Sequence, residues 1–424
     1  MAATRPTPME PYAVVHLVVG ESMKDLVETQ VIDHMRWQTD TNGTFRPVRV
    51  IVALLEPARV AAKRAVRKRI RDLQSRAPEV KVVLLPFMSR LGVARNARLL
   101  APRLRRLAGV DSVVLHCRGE SAVPWADEFR KTWPRSGVVF DVRGAVPEEV
   151  LYERGFDGPT SASAEALRTY HANFAILHNA LARSESLLCV SESLKQWLTQ
   201  LGVSPSTVHR VPCCVSSVPY TAEHRARARR ELGLEKSIVI TYLGSVTKYQ
   251  HVEDAVIPFF SLALAAEPAA HLLCLTSHEQ QMSQMIERAG IPKKAYTVSR
   301  VPQRQVPDYL MAADAGILLR ETTRMNRVSM PVKFAEYLSC GVPVIATRVV
   351  GWIDDIVERS GAGLVIDWFG ASPDQQRAEA ERVCRALRTD GERMRSAALD
   401  LCRNEFLWKE YVAEVRSAYA EALR

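Results

Sequence analysis

Lys333 and Glu336 stand one turn apart in a helix-like stretch, VKFAEYLSC, that follows a polar loop and Pro331. Gly341 ends the stretch, and residues 342–346 continue as an apolar strand. Proline at a helix start and glycine just past its end are the punctuation a helix needs. The free N–H groups and positive dipole end at such a start attract phosphate, by about 0.3–2 kcal/mol per anionic contact. Lys333 adds a cation, and Glu336 can accept hydrogen bonds from sugar hydroxyls. That is equipment for a nucleotide diphosphate. A second piece lies at 238–248, IVITYLGSVTK, where a strand runs into Gly244 and Ser245 and Lys248 follows in the loop. Glycine after a strand lets backbone approach a ligand at the carboxyl end of the sheet, and Lys248 can then reach a phosphate. Breaking a sugar–phosphate bond leaves charge on the nucleotide diphosphate, which preorganised cations and N–H groups stabilise. A divalent metal could do the same, but the chain has no Asp-x-Asp, no H-E-x-x-H and no paired-histidine spacing, so no metal is expected.

The elements that must position these groups alternate along the chain. Apolar runs at 13–19, 48–55, 80–85, 112–116, 137–141 and 186–190 read as buried parallel strands. Helices are predicted between them at 21–39, 57–77, 92–108, 122–133 and 161–183. The second half repeats the plan, with strands at 237–243, 271–276, 295–298, 315–319, 342–346 and 363–366. Its helices are predicted at 250–266, 279–289, 306–312, 331–339 and 351–358. Two successive blocks of this kind imply an α/β chain with two doubly wound parallel sheets. The boundary falls near 215–222, and a final helical region covers about 378–423 with Phe406, Trp408 and Tyr411.

With 424 residues, 47% of them apolar, the chain can build two cores. No apolar run approaches the roughly 18 residues of a membrane span. The richest, 255–266, is broken by Pro258 and Ser261. Arg5, Pro6, Pro8 and Glu10 precede the first apolar run, which predicts no signal peptide. Eight cysteines without metal-finger spacing, several in apolar segments, favour a reduced cytoplasmic setting. Absence of G-x-G-x-x-G, P-loop and G-x-S-x-G patterns lowers dehydrogenases, ATPases and α/β-hydrolases.

Residues 326–347 resemble the donor-site signature of the glycosyltransferase group 1 (family 4) GT-B enzymes. The match is to the subgroup with S-x-P-x-K-x-x-E-Y, here Ser329, Pro331, Lys333, Glu336 and Tyr337. The commoner pattern has a second Glu where this chain has Val328, and Ser245 stands where the family's G-R-L…K loop has Arg. The resemblance implies a GT-B fold whose two Rossmann-like domains face across a cleft. Domain one would span 1–218 and bind the acceptor, domain two 219–404 and bind the nucleotide-sugar. Residues 405–424 would cross back to the first domain. It further implies retaining, metal-independent transfer without a cofactor, the nucleotide-diphospho-sugar being a co-substrate. Glu336 would hold the ribose, with Gly244, Ser245, Lys248 and Lys333 at the pyrophosphate, Lys333 substituting for the lost Arg. Pro331 and Val332 open the helix that faces it. Ser299, Arg300 and Val301 lie where such enzymes place the base, and Asn326 and Arg327 in the donor loop, near sugar or phosphates. Asp314 reads as a structural helix-end residue.

In the first half, VVLHCRGE puts His116 at a strand end and Arg118 beyond it. In similar enzymes a His there approaches the donor sugar; a merely structural histidine is the alternative. Asp141 and Arg143 end another strand, with Glu148 and Glu149 nearby, either binding acceptor or serving as first-turn acids behind Pro147. Gly20 and Glu21 form a turn where the family has a glycine-rich acceptor loop. Phe406, Trp408 and Tyr411 either make the crossing contact or are ordinary core aromatics.

The net charge of +10 is uneven: residues 57–110 carry fifteen Lys and Arg against Asp72 and Glu79. Cationic helix faces there would favour an anionic membrane surface by up to about 1 kcal/mol per residue. Nucleic acid is the rival partner, though no helix-turn-helix, finger or RNP motif accompanies the charge. A solvated face is the third reading. The expected function is sugar transfer to a glycan or lipid-linked acceptor in cell-surface polysaccharide or glycolipid synthesis, on the inner face of the membrane. A GT-B sugar-nucleotide 2-epimerase and a basic nucleic-acid-binding protein are the alternatives.

Overall fold

The computed structural model describes residues 10–40, 45–348 and 352–424. Arg5, Pro6, Pro8 and the first residue of the expected 351–358 helix lie outside them. The first sheet has seven strands: β1 (Tyr12–Val19), β2 (Arg49–Pro57), β3 (Lys81–Phe87), β4 (Ser112–Arg118), β5 (Arg135–Val142), β6 (Ser186–Cys189) and β7 (Val208–Arg210). Their order is β3-β2-β1-β4-β5-β6-β7, all parallel. The second sheet has β8 (Ile238–Leu243), β9 (Ala270–Leu275), β10 (Tyr296–Ser299), β11 (Ala315–Leu318), β12 (Val344–Thr347) and β13 (Gly363–Ile366). Its order is β10-β9-β8-β11-β12-β13, also parallel. In both, the strand order reverses beside the first strand, the place where open α/β sheets bind ligands.

The chain divides into two compact units. One holds the first sheet up to Gly144, His171–Pro212 and Trp408–Arg424. The other holds Cys213–Leu407 together with Ala145–Tyr170. The strands expected from apolar runs all form, and β7 (Val208–Arg210) is added to them. Among the helices that form where none was expected are Glu192–Gln200 and Ala222–Leu232. Both start on a hydroxyl cap, Ser191 and Thr221. Residues 21–25 are not helical; the helix begins at Leu26 and continues through Glu28–Ile32.

In the second unit, Phe259, Phe260, Leu272, Ile317 and Val383 pack the core between sheet and helices. The helix Pro373–Glu405 opens on a capping box, Ser372 with Gln375. Its Arg395 is buried and donates to the Gly341 carbonyl at 2.6 Å. Asp314 accepts from the Val239 amide and from Arg225 and Arg229, which makes it a structural tie between β8 and the helix Ala222–Leu232. All eight cysteines are buried, and among the described residues none forms a disulfide. Among the described residues no helix is long and apolar enough to cross a membrane.

Candidate functional site

The helix Val332–Ser339 begins behind Pro331 and ends at Gly341, whose φ of 63° suits glycine. The amides of Gly341 and Val342 bond back to Leu338 and Tyr337, turning the chain directly into β12. Lys333 is buried in the first turn. Its Nζ donates to Gln250 Oε1 at 2.8 Å and lies over the Tyr242 ring, 4.5 Å from its centroid. It also abuts Gly244: a Cβ there would sit 3.0 Å from the ammonium. Gly244 has φ 134°, so the backbone favours glycine at the end of β8, and a Cβ there would also press on the lysine.

Burial, then neighbouring Arg320, holds the Lys333 ammonium well below the usual lysine range, against the pull of Glu336. Glu336 is partly exposed and accepts from Gln303 Nε2 at 2.6 Å. Burial pushes its carboxyl up to about 7, although the Gln303 bond and Lys333 both favour the charged form. A buried amine and a carboxyl of raised pKa, each hydrogen-bonded to a neutral amide, form the kind of perturbed pair that marks a candidate binding site.

The loop after β8 is tied down around them. Tyr242 donates to the Ser245 carbonyl, and Ser245 Oγ lies 3.2 Å from Thr247 Oγ1. Lys248 is exposed, its ammonium over the Tyr152 ring at 5.0 Å. Arg320, at the carboxyl end of β11, is buried; it donates to the Tyr249 carbonyl and stacks over the Tyr249 ring. Burial lowers its pKa. Ser299 accepts from the Thr276 amide, and the Arg300 amide donates to Glu279, which hold the loop that includes Val301. Asn326 is buried; its side chain donates to the Glu321 carbonyl and its own carbonyl accepts from Ser329 Oγ, so it shapes the loop before Pro331 from inside. Arg327, next to it, is exposed.

The first sheet carries a separate cluster. Gly20 (φ 73°) turns the chain after β1, and Glu21 accepts from Lys24 at 2.7 Å and from Arg118 Nε at 3.0 Å. Asp141 lies 3.3 Å from Arg143 and 3.8 Å from Arg118. Burial works to raise the Asp141 carboxyl, but Arg143, His116 and Arg118 hold it below the usual range. His116 is fully enclosed: its ring stacks on His16 at 4.1 Å, and Nδ1 lies 2.8 Å from Tyr419 Oη. His34 meets it edge-on and itself stacks on Trp408. Ligand-type atoms of His16, His116 and Asp141 lie within 4.8 Å of one another. The two imidazoles are stacked 17° from parallel, so their in-plane lone pairs do not converge on a common ion.

Gly244, Ser245, Lys333 and Glu336 thus meet at one end of the second sheet, while Lys248 points to Tyr152. Gly20, Glu21, Arg118, Asp141 and Arg143 meet at the end of the first. Glu149 lies in the first turn of the helix Val146–Glu153, in the segment that belongs to the second unit. Beside it Glu148 is buried and accepts from Arg324 and Tyr170. Arg320, Gln250 and Gln303 escaped the sequence reading. A lone Arg just past a strand was the only available signal for Arg320, and no spacing marks the two glutamines.

Two parallel, doubly wound sheets in one chain, each with its polar cluster at the strand carboxyl ends, define the GT-B architecture. Residues 224–396 match the family of glycosyl transferases group 1. Solved structures agree over nearly the whole length. A UDP-glucose complex of HepE from Anabaena aligns with a TM-score of 0.65 at 14% identity, covering 96% of this chain and 99% of that one. A glycosyltransferase from Rickettsia africae aligns at 0.66 with 15% identity, covering 98% and 100%. Sucrose-phosphate synthase from Thermosynechococcus elongatus gives 0.65 at 14%, covering 97% and 98%. Comparison with curated protein sequences gives no match.

Proposed function

We propose that this protein is a retaining glycosyltransferase that takes a sugar from a nucleotide-diphospho-sugar held on its second domain. The observation that carries the reading is the buried Lys333 ammonium against Gly244, beside the partly exposed Glu336, at the carboxyl end of β8. The diphosphate would lie along Gly244 and Ser245 with Lys333 beneath it and Lys248 swinging in from Tyr152. Glu336 would accept from the ribose, and the loop of Ser299, Arg300 and Val301 would flank the base. Arg327 would reach the sugar or phosphates, with Asn326, Ser329, Pro331 and Val332 shaping the loop. As the leaving diphosphate gains charge, these cations replace a metal; losing one such contact typically costs about 10²–10³ in rate.

The acceptor would meet the cluster of Gly20, Glu21, Arg118, Asp141 and Arg143, with His116 beneath it as a positioning group rather than a contact, since it has no exposed surface. Glu149 would add a further carboxylate on the acceptor side. A lipid-linked or glycan acceptor fits the basic helices of the first sheet, whose exposed cations favour an anionic membrane surface. A UDP-glucose complex of a similarly folded protein supports a nucleoside diphosphate donor.

The test is thermal stabilisation by UDP, GDP, ADP and CMP species and their sugars, in wild type and Glu336→Ala. A ligand at a hundred times its Kd adds about 2.7 kcal/mol. One nucleoside diphosphate that raises the melting temperature of wild type and not of the variant is the expected result. A flat panel would sink the reading.

A further inference from the structure

Glu336 does not stand alone at its site. The turn Gln303–Gln305 follows β10, and its backbone is closed by the Gln305 amide bonding to the Pro302 carbonyl at 2.8 Å. Buried Val306 and Leu310 anchor the next helix, and Glu279 pins the preceding Arg300 amide. The Gln303 amide is therefore delivered to Glu336 by a fixed piece of chain, and its Nε2 donates to Oε1 at 2.6 Å. Among the described residues no hydrogen-bond partner occurs for Glu336 Oε2 or for Gln303 Oε1. One bond thus joins two side chains and leaves each with an open acceptor. A vicinal diol presents two adjacent hydroxyl donors, so the pair matches it in number and kind.

We propose that Gln303 is a positioning residue of the donor site, holding Oε1 of Glu336 so that Oε2 and its own amide oxygen take the two ribose hydroxyls. This rests on the donor reading above. A hydrogen bond to a carboxylate also favours its ionised form, which burial here opposes, so Gln303 keeps Glu336 an acceptor near neutral pH. A glutamine that only filled space would do neither.

The experiment measures Kd calorimetrically for UDP, GDP and ADP and their 2′-deoxy forms, from pH 6 to 9, in wild type, Gln303→Leu and Gln303→Met. Wild type is expected to prefer one ribonucleotide over its 2′-deoxy form by about tenfold, the size of a hydrogen bond to a charged acceptor. Both variants should lose most of that preference and shift the pH midpoint of binding upward, with unchanged melting temperatures. A purely structural role would weaken ribo and deoxy forms equally. Folded variants that keep the preference and the midpoint overturn the inference while leaving the donor site standing. No binding of any nucleoside diphosphate to wild type overturns both.

Discussion

The Tyr337 ring lies where a side chain on Gly316 would be: a Cβ there would fall 2.6 Å from the ring. Because β11 is bare at that point, Tyr337 lies across it and its hydroxyl accepts from the Leu243 amide at 2.9 Å. One side chain therefore spans from the helix of Lys333 and Glu336 to the last residue of β8, next to Gly244. The two halves of the candidate donor site are fixed to each other through an aromatic ring.

Gly316→Ala should therefore damage both fold and site. Overpacking a core position typically costs about 1–3 kcal/mol. Here the displaced ring also gives up its bond to the end of β8. The expected outcome is a lower denaturant midpoint and weaker nucleotide binding than the same loss of stability produces at a remote site. Full affinity in a destabilised Gly316→Ala would show that Tyr337 does not set the loop.

Lys333→Met separates function from stability. The ammonium is buried against Tyr242 and bonds one neutral amide, with Arg320 as a like-charged neighbour. Replacing it with an apolar side chain of similar length should leave melting unchanged or raise it. Nucleoside diphosphate affinity should fall by about tenfold or more, the scale of one charged hydrogen bond. Titration calorimetry beside a melting curve reads both; a variant that binds as wild type does would remove Lys333 from the site.

Much of this was legible in the sequence because period and punctuation are local. Pro331, Gly341 and the apolar run after them specify a helix and a strand wherever the chain goes. Gly244 was legible for the same reason, since only a strand-end glycine suits a close approach. What sequence could not show was side-chain direction. Lys248 follows Gly244 by four residues, yet its stem turns to Tyr152, which is nearly a hundred positions away in the chain and packs there through tertiary contacts. His116 sits in a strand whose end looked open, but Tyr419 from the far end of the chain closes over it. Gly137 admits that terminal helix, since a Cβ would fall 2.0 Å from the Ala422 carbonyl oxygen.

Acid should unfold the first unit early. Burial, and then mutual repulsion, holds His16 and His34 well below their ordinary value of 6.5, and burial brings His116 to about 4. The unfolded chain takes up these protons first, so stability is full above about pH 6.5 and falls as pH drops toward 4. Each histidine contributes about 1.4 kcal/mol per pH unit in that window. Asp141, held low, adds its own loss only below its ordinary 3.8. Among the described residues neither buried ring nitrogen of His16 has a hydrogen-bond partner, so His16→Leu sacrifices none there. Its acid midpoint should lie below that of wild type; an identical midpoint would exclude the histidine stack as the cause.

The basic helices of the first sheet make the membrane reading testable on its own. Arg64, Arg67, Lys68 and Arg71 are exposed on the helix Arg64–Arg76, and Arg98 and Arg106 on Val93–Ala108. Arg76 and Arg105, by contrast, are paired with acids and contribute less free charge. Leu99, 63% exposed, stands beside Arg98 as an apolar contact of the kind a bilayer interface accepts. With about 1 kcal/mol per cation near an anionic surface, several acting together give binding that salt screens over a Debye length of roughly 8 Å. Wild type should co-sediment with vesicles containing phosphatidylserine at low salt, release at high salt, and ignore neutral vesicles. The triple variant Arg64→Glu, Lys68→Glu, Arg71→Glu should lose that binding while keeping its response to nucleoside diphosphates, since those residues lie on the first sheet's unit and the donor groups on the second. Retained vesicle binding in the triple variant would return these helices to a solvated role.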